Sequence, residues 1–198
     1  MSGTVSQIIS YLRLIVFYKG LFPPGRLLKG AFEIAANGRT SFPVTIDLLV
    51  TERCNFSCRM CYLACKPEDP ERSRGKELSL GEIAVLAEEA APYRPLICLG
   101  GGEPLLREDL LEILSEIKQR GLKCMVYTNG YLLDAQKAER MLDLGLDALI
   151  VSLYGWGQAH DGITGVKGSF GRTMKNLKHV LDKRGPGTRV LISTLPLP

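Results

Sequence analysis

From residue 44 onward, short runs of β-branched and apolar residues alternate with longer segments in which apolar residues recur at helical spacing. This alternation is typical of βαβ units, in which helices cover parallel strands. The predicted strands are residues 44–51, 96–99, 123–127, 148–152 and 189–194. Because a chain of 198 residues suits one domain with a substantial core, the sequence predicts a single α/β domain.

The helices between these strands have recognisable ends. Ser79-Leu80-Gly81-Glu82 has the form of a capping box, and Asp134 suits a helix N-cap. Helix C-termini are predicted at Gly121, Gly145 and Gly185. Only Leu-Pro-Leu-Pro follows the last predicted strand, and no helix is available to cover it. We therefore expect an open barrel that is truncated after its fifth strand.

Residues 1–43 are predicted to be a basic, amphipathic N-terminal arm that precedes a core of residues 44–198. The arm contains five basic residues and one acidic residue, whereas basic and acidic residues balance in the core. This balance argues against a nucleic-acid-binding core. Two amphipathic stretches, residues 8–18 and 26–36, could pack on the core. Peripheral contact with an anionic membrane is a second hypothesis for them.

Three of the six cysteines form a cluster directly after the first predicted strand. Three residues separate Cys54 from Cys58, and two separate Cys58 from Cys61. One loop of this kind can wrap three thiolates around an iron-sulfur cube and leave the fourth iron open for chemistry. A zinc knuckle or a closed ferredoxin-like cluster, with Cys65 as a fourth ligand, is an alternative. The N-terminus lacks a secretory-signal pattern, so we expect a cytoplasmic protein with reduced thiols.

The Cys54-x3-Cys58-x2-Cys61 motif after a first strand resembles the defining motif of the radical SAM superfamily. Segments at the ends of the next three strands strengthen the resemblance: Gly101-Gly102-Glu103-Pro104, Thr128-Asn129-Gly130 and Ser152. The resemblance implies a partial (β/α) barrel, a [4Fe-4S] cluster held by Cys54, Cys58 and Cys61, and S-adenosylmethionine as cosubstrate. The implied cosubstrate contacts are Gly101, Gly102, Glu103, Pro104, Thr128, Asn129 and Ser152.

The activity implied by this resemblance is reductive cleavage of S-adenosylmethionine. The resulting 5′-deoxyadenosyl radical would abstract hydrogen from a substrate that the sequence does not identify. A flavodoxin- or ferredoxin-like protein is the implied electron donor. The alternative is a truncated, non-catalytic protein that binds the cluster and the cosubstrate, or one half of a split enzyme.

Some residues depart from the family pattern or fall outside it. Thr164-Gly165 stands where many relatives have Arg-Gly to bind the cosubstrate carboxylate. His160 is more readily explained as a structural residue than as a catalytic one, because nothing in the sequence determines its geometry. Cys65, Cys98 and Cys124 match no motif and are predicted not to be ligands.

Overall fold

A computed structural model of the chain describes residue 21 and residues 24–63 and 77–195. It contains a five-stranded sheet in the order β1-β2-β3-β4-β5, and all neighbouring strands are parallel. The strands are β1 (Thr45–Thr51), β2 (Leu96–Gly101), β3 (Lys123–Thr128), β4 (Ala148–Ser152) and β5 (Arg189–Ser193). The predicted strands and their parallel arrangement are thereby confirmed.

Six α-helices lie in the described residues: α1 (Pro24–Asn37), α2 (Leu80–Ala90), α3 (Leu110–Gln119), α4 (Ala135–Asp143), α5 (Gln158–Thr164) and α6 (Ser169–Lys183). Short 3-10 turns occur at Ala91–Tyr93 and Pro104–Leu106. The second amphipathic stretch of the arm forms α1. Residues 8–18 and Cys65 lie outside the described residues, and the boundary of the arm at residue 43 stays a prediction.

Two hydrophobic clusters lie on opposite faces of the sheet. The larger cluster joins alternate strand residues such as Ile97, Val126 and Leu149 to the apolar faces of α2, α3, α4 and α6. The smaller cluster contains Cys98 and Met125 on the other face of the sheet, together with Leu21 of the arm. The helices therefore cover one face, as expected for a partial (β/α) barrel, and the arm contacts the other face at Leu21.

The predicted helix ends are largely confirmed. The Ser79 side chain accepts from the backbone N–H of Glu82 while the Glu82 side chain accepts in return, which completes the capping box. The Asp134 carboxylate caps α4 at the N–H of Lys137. Gly121 and Gly145 follow helix ends with left-handed φ angles of 68° and 78°. Gly185 takes the same position after α6, directly after the C-cap residue Arg184, although there the extended backbone of Arg184 ends the helix.

The second strand continues further than predicted. It includes Gly100 and Gly101, which pair with Leu49 and Thr51 of β1 across a register irregularity. Of the three consecutive glycines, Gly100 and Gly101 are therefore part of the sheet, and Gly102 follows the strand. This extension brings the backbone of the glycine run, residues 100–102, directly against the start of the cysteine loop, residues 52–61.

Candidate functional site

A single cavity at the carboxyl ends of the strands collects most of the predicted site residues. Loops converge at this edge of parallel α/β folds, which is where their ligands bind. The cavity is lined by residues from the cysteine loop and from the ends of β2, β3 and β4, among them Cys54, Cys58, Cys61, Gly101, Gly102, Thr128, Asn129 and Ser152. Glu103 and Pro104 lie behind the cavity wall, where both are buried.

Backbone hydrogen bonds attach the cysteine loop to the end of α5. The N–H of Ser57 donates to the carbonyl of Thr164 at 3.0 Å, and the N–H of Arg59 donates to that of Ile163 at 3.1 Å. Gly165 follows with a φ of 73°, and a Cβ there would lie 2.5 Å from Ser57 Oγ. The Thr164-Gly165 pair therefore packs the cysteine loop, and the buried Thr164 hydroxyl donates to the carbonyl of His160.

Phe56 anchors the loop between its first two cysteines. Its side chain is 1% exposed and meets the rings of Tyr131 and His160 edge-on, at centroid distances of 5.6 and 6.5 Å. Such aromatic pairs stabilise the folded chain by more than the burial of their apolar area alone. The buried Phe56 ring therefore anchors the loop, and the three thiols of the loop line the cavity.

The thiols have the chemistry of a site that needs a cationic partner. Burial, and after it the charge of the neighbouring Cys61, raises the pKa of Cys58 to about 11. The Cys58 thiolate is therefore unfavourable until positive charge neutralises it, as a bound metal centre does. Within the described residues, no group of three His, Cys, Asp or Glu side chains meets the geometry of a single bound metal ion. The fit to a cluster rests on three thiols that line one cavity.

The glycine run holds the cysteine loop at its other end. The N–H groups of Gly102 and Glu103 donate to the carbonyls of Thr51 and Arg53 at 2.7 and 2.8 Å. A Cβ on Gly101 would lie 2.2 Å from the Thr51 carbonyl oxygen, and one on Gly102 would lie 2.1 Å from that of Arg53. Only glycine permits this approach, which places the backbone of β2 directly beside the residue that precedes Cys54.

Glu103 is a buried organiser of the site rather than part of the cavity wall. One carboxylate oxygen accepts from the Thr128 hydroxyl at 2.7 Å and the Leu105 N–H at 3.0 Å, and the other accepts from the Asn129 N–H at 2.7 Å. Burial raises the pKa of Glu103 to about 7, against the opposing effect of these hydrogen bonds. Its carboxylate therefore connects the end of β2 to the end of β3.

Tyr154 lines the cavity and was missed by sequence reasoning. Burial raises the pKa of its phenol; a hydrogen bond with Ser152 opposes this shift, and the charges of the three cysteines add to it. The backbone N–H of Tyr154 donates to Nδ1 of the buried His160 at 3.1 Å, and the rings of the two residues stack. The signal was available, because Tyr154 lies two residues after Ser152 in the same polar strand end.

The remaining predicted non-ligands lie away from the cavity. Cys98 and Cys124 are buried on β2 and β3, and burial raises the pKa of the Cys98 thiol to about 12. His160 has the structural role expected of it, since it is fully buried and supports the Tyr154 backbone. Its burial lowers its pKa, which favours the neutral ring that can accept this bond.

Comparison with known proteins identifies the family. The model of the radical SAM superfamily matches residues 48–198, so the chain belongs to this superfamily. Its members use a [4Fe-4S] cluster and S-adenosylmethionine, and related structures have been solved with S-adenosylmethionine bound.

Two curated relatives illustrate the similarity. The chain is 34% identical over 129 residues to Fe-coproporphyrin III synthase of Methanosarcina barkeri, covering 65% of this chain and 31% of that protein. It is 40% identical over 124 residues to a protein of Sulfurisphaera tokodaii named "Probable GTP 3',8-cyclase", covering 61% of this chain and 38% of that protein. The chain thus spans about a third of the length of these relatives.

Solved structures share the fold. Streptococcus suis SuiB bound to S-adenosylmethionine is similar with a TM-score of 0.65 at 16% identity, over 88% of this chain and 40% of that one. BtrN in complex with AdoMet and 2-DOIA gives a TM-score of 0.54 at 19% identity, over 77% of this chain and 57% of that one. None of the helices in the described residues has the length and apolar character needed to cross a membrane.

Proposed function

We propose that Cys54, Cys58 and Cys61 hold a [4Fe-4S] cluster, and that S-adenosylmethionine binds beside it along the ends of β2, β3 and β4. The supporting observation is the cavity in which the three thiols and Gly101, Gly102, Thr128, Asn129 and Ser152 lie together. When bound, these cofactors supply an electron that cleaves the sulfonium to methionine and a 5′-deoxyadenosyl radical, which abstracts hydrogen from the substrate.

Each group of cavity residues has a task that its position supports. Gly101 and Gly102 line the cavity without side chains, so a ligand can approach the backbone at the end of β2. The Ser152 hydroxyl and the Tyr154 phenol are polar groups for the ribose or the amino acid part of the cosubstrate. Glu103 holds Thr128 and Asn129 in place, so its contribution to cosubstrate binding is indirect.

An electron donor and a substrate that the relatives do not identify complete this proposal. The superfamily implies a reductant, and the proposed electron donor is a flavodoxin- or ferredoxin-like protein. The names of the relatives cover heme synthesis and GTP cyclisation, so the proposed activity stops at the shared radical step. We propose a cytoplasmic location, where the thiols stay reduced.

The first experiment is anaerobic reconstitution with iron and sulfide, followed by reduction, addition of S-adenosylmethionine and quantification of 5′-deoxyadenosine. Cys58→Ala should lose the cluster and the product, whereas Cys98→Ala removes a buried thiol outside the cavity and should retain both. Product from Cys58→Ala at the wild-type level would contradict the ligand assignment.

A second candidate function is binding of the cluster and the cosubstrate without turnover, as a non-catalytic protein or half of a split enzyme. The chain spans 31% and 39% of the length of the two curated relatives from Methanosarcina barkeri, Fe-coproporphyrin III synthase and AdoMet-dependent heme synthase. A wild-type chain that binds both cofactors and yields no 5′-deoxyadenosine under strong reduction would support this candidate over the first.

Peripheral membrane contact through the arm is a further part of the proposal. Helix α1 exposes Leu28 and Phe32, which are 59% and 75% accessible, close to Lys29. Apolar side chains beside a basic residue suit the surface of an anionic bilayer. Flotation with anionic liposomes tests this, and equal flotation of a chain that lacks residues 1–43 would contradict it.

A further inference from the structure

The side-chain amide of Asn129 lies between the end of β3 and the first cysteine. Its Nδ2 donates to Asn55 Oδ1 at 2.8 Å and lies within hydrogen-bond range of Cys54 Sγ, at 4.0 Å. Its Oδ1 accepts from the N–H of Tyr131 at 2.9 Å. Because Oδ1 must face this donor, the orientation of the amide is determined, and its N–H groups point toward the cysteine loop.

The backbone of Asn129 is fixed as firmly as its side chain. Its N–H donates to a Glu103 carboxylate oxygen at 2.7 Å, and its carbonyl accepts from the Thr173 hydroxyl at 2.9 Å. Hydrogen bonds on both sides of the backbone and at both ends of the amide leave Asn129 little freedom to turn away from Cys54. The buried Glu103 thus acts through Asn129 on the cysteine loop.

We propose that Asn129 is a positioning residue for the cluster, whose amide donates to the Cys54 thiolate and raises the reduction potential of the [4Fe-4S] centre. This inference rests on the proposed function, because it takes Cys54 to be a cluster ligand. The Cys54 sulfur also accepts from the Phe56 N–H at 3.4 Å, so the amide joins an existing donor.

The physical basis is the charge that reduction adds to the cluster. Hydrogen bonds to cluster sulfurs are among the features that set the reduction potential, and they strengthen when the acceptor is charged. A donor at the Cys54 sulfur stabilises the more negative, reduced state. Asn129 would therefore make it easier to deliver the electron that S-adenosylmethionine cleavage needs, a role different from the cosubstrate contact predicted from the sequence.

Asn129→Ser is the variant that tests this role. A serine hydroxyl can still accept from the Tyr131 N–H and keep the local turn, but it lacks the amide that reaches Cys54. Asn176→Ala is the matched control. The Asn176 amide donates to the carbonyls of Gly130 and Tyr131 at 2.9 and 3.2 Å, so its loss loosens the same turn from the other side.

The measurement is an EPR-monitored redox titration of the reconstituted cluster without S-adenosylmethionine. In Asn129→Ser, we expect the equilibrium constant for one-electron reduction of the cluster to fall about tenfold. This corresponds to a midpoint potential about 59 mV more negative. Asn176→Ala should match wild type. An unchanged midpoint in Asn129→Ser, or an equal shift in Asn176→Ala, would overturn the inference.

Iron analysis separates this inference from the proposal on which it rests. A wild-type chain that takes up no cluster refutes the ligand assignment, whereas a normal cluster with an unchanged variant midpoint refutes only the role of Asn129. If Asn129→Ser does not assemble a cluster, Asn129→Asp provides the second test. It keeps the size and the acceptor of asparagine, removes the donor and adds negative charge, so its midpoint must shift at least as far in the same direction.

Discussion

The close packing of β2 against the start of the cysteine loop predicts that Gly102→Ala damages both the fold and the site. The new Cβ would lie 2.1 Å from the Arg53 carbonyl oxygen, and real Cβ contacts do not fall below 3.0 Å. The obstacle is backbone, which cannot turn aside as a flexible side chain can. The backbone around Gly102 and that around Arg53 must therefore separate locally by about 1 Å. Because Cys54 follows Arg53 directly, this separation also displaces the first cysteine of the loop.

The magnitude follows from the hydrogen bonds that this separation breaks. The N–H groups of Gly102 and Glu103 would lose their acceptors on Thr51 and Arg53, which lie at 2.7 and 2.8 Å. An unpaired buried backbone group costs about 1–3 kcal/mol. We expect Gly102→Ala, which leaves two such groups unpaired, to lower the free energy of unfolding by about 2–6 kcal/mol and to prevent iron uptake.

Gly100→Ala is the matched control within the same glycine run. Its Cβ would meet only a Tyr127 ring carbon, at an ordinary 3.8 Å. Urea unfolding of the apo chains, followed by circular dichroism, measures stability, and iron per chain after anaerobic reconstitution measures assembly. Gly100→Ala should stay within about 1 kcal/mol of wild type. Equal stability and equal iron content in the two variants would refute the close-packing argument.

Three further substitutions test neighbouring contacts. Burial raises the pKa of Glu103 to about 7 in the folded chain, above its ordinary value of 4.5, so its contribution to stability is largest below pH 4.5 and is lost as pH rises to 7. The stability advantage of wild type over Glu103→Gln should therefore shrink across that window, and urea titrations showing a constant advantage would contradict this. Gly165→Ala should reduce iron uptake more than Gly168→Ala, because both have positive φ angles but only the former would crowd the cysteine loop; equal iron contents would argue against the clash. His160→Phe should lower the free energy of unfolding by about 1–3 kcal/mol, because the Tyr154 N–H loses its acceptor; an unchanged urea midpoint would exclude this.

Much of the fold and the chemistry of the site could be predicted from the sequence. Strand and helix positions followed from local periodicity, and capping residues such as Ser79 and Asp134 act on neighbours three residues away. Cys54, Cys58 and Cys61 lie within one short loop, so their spacing alone indicates that their thiols can share a metal centre. Local features of this kind are visible because the residues involved are close along the chain.

The tertiary structure decided what those residues contact. The sequence predicts Glu103 as a cosubstrate contact, and the structure shows what the sequence could not, that its carboxylate is buried against Thr128 and Asn129, some 25 residues further along the chain. Asn129 in turn reaches Cys54, from which it is 75 residues distant. Such contacts depend on which strands pair and in which register, and no local pattern encodes that. The sequence by itself therefore determined the order of elements and the clustering of three cysteines in one loop, whereas only the packed sheet determined which polar groups face the cavity and which lie behind its wall.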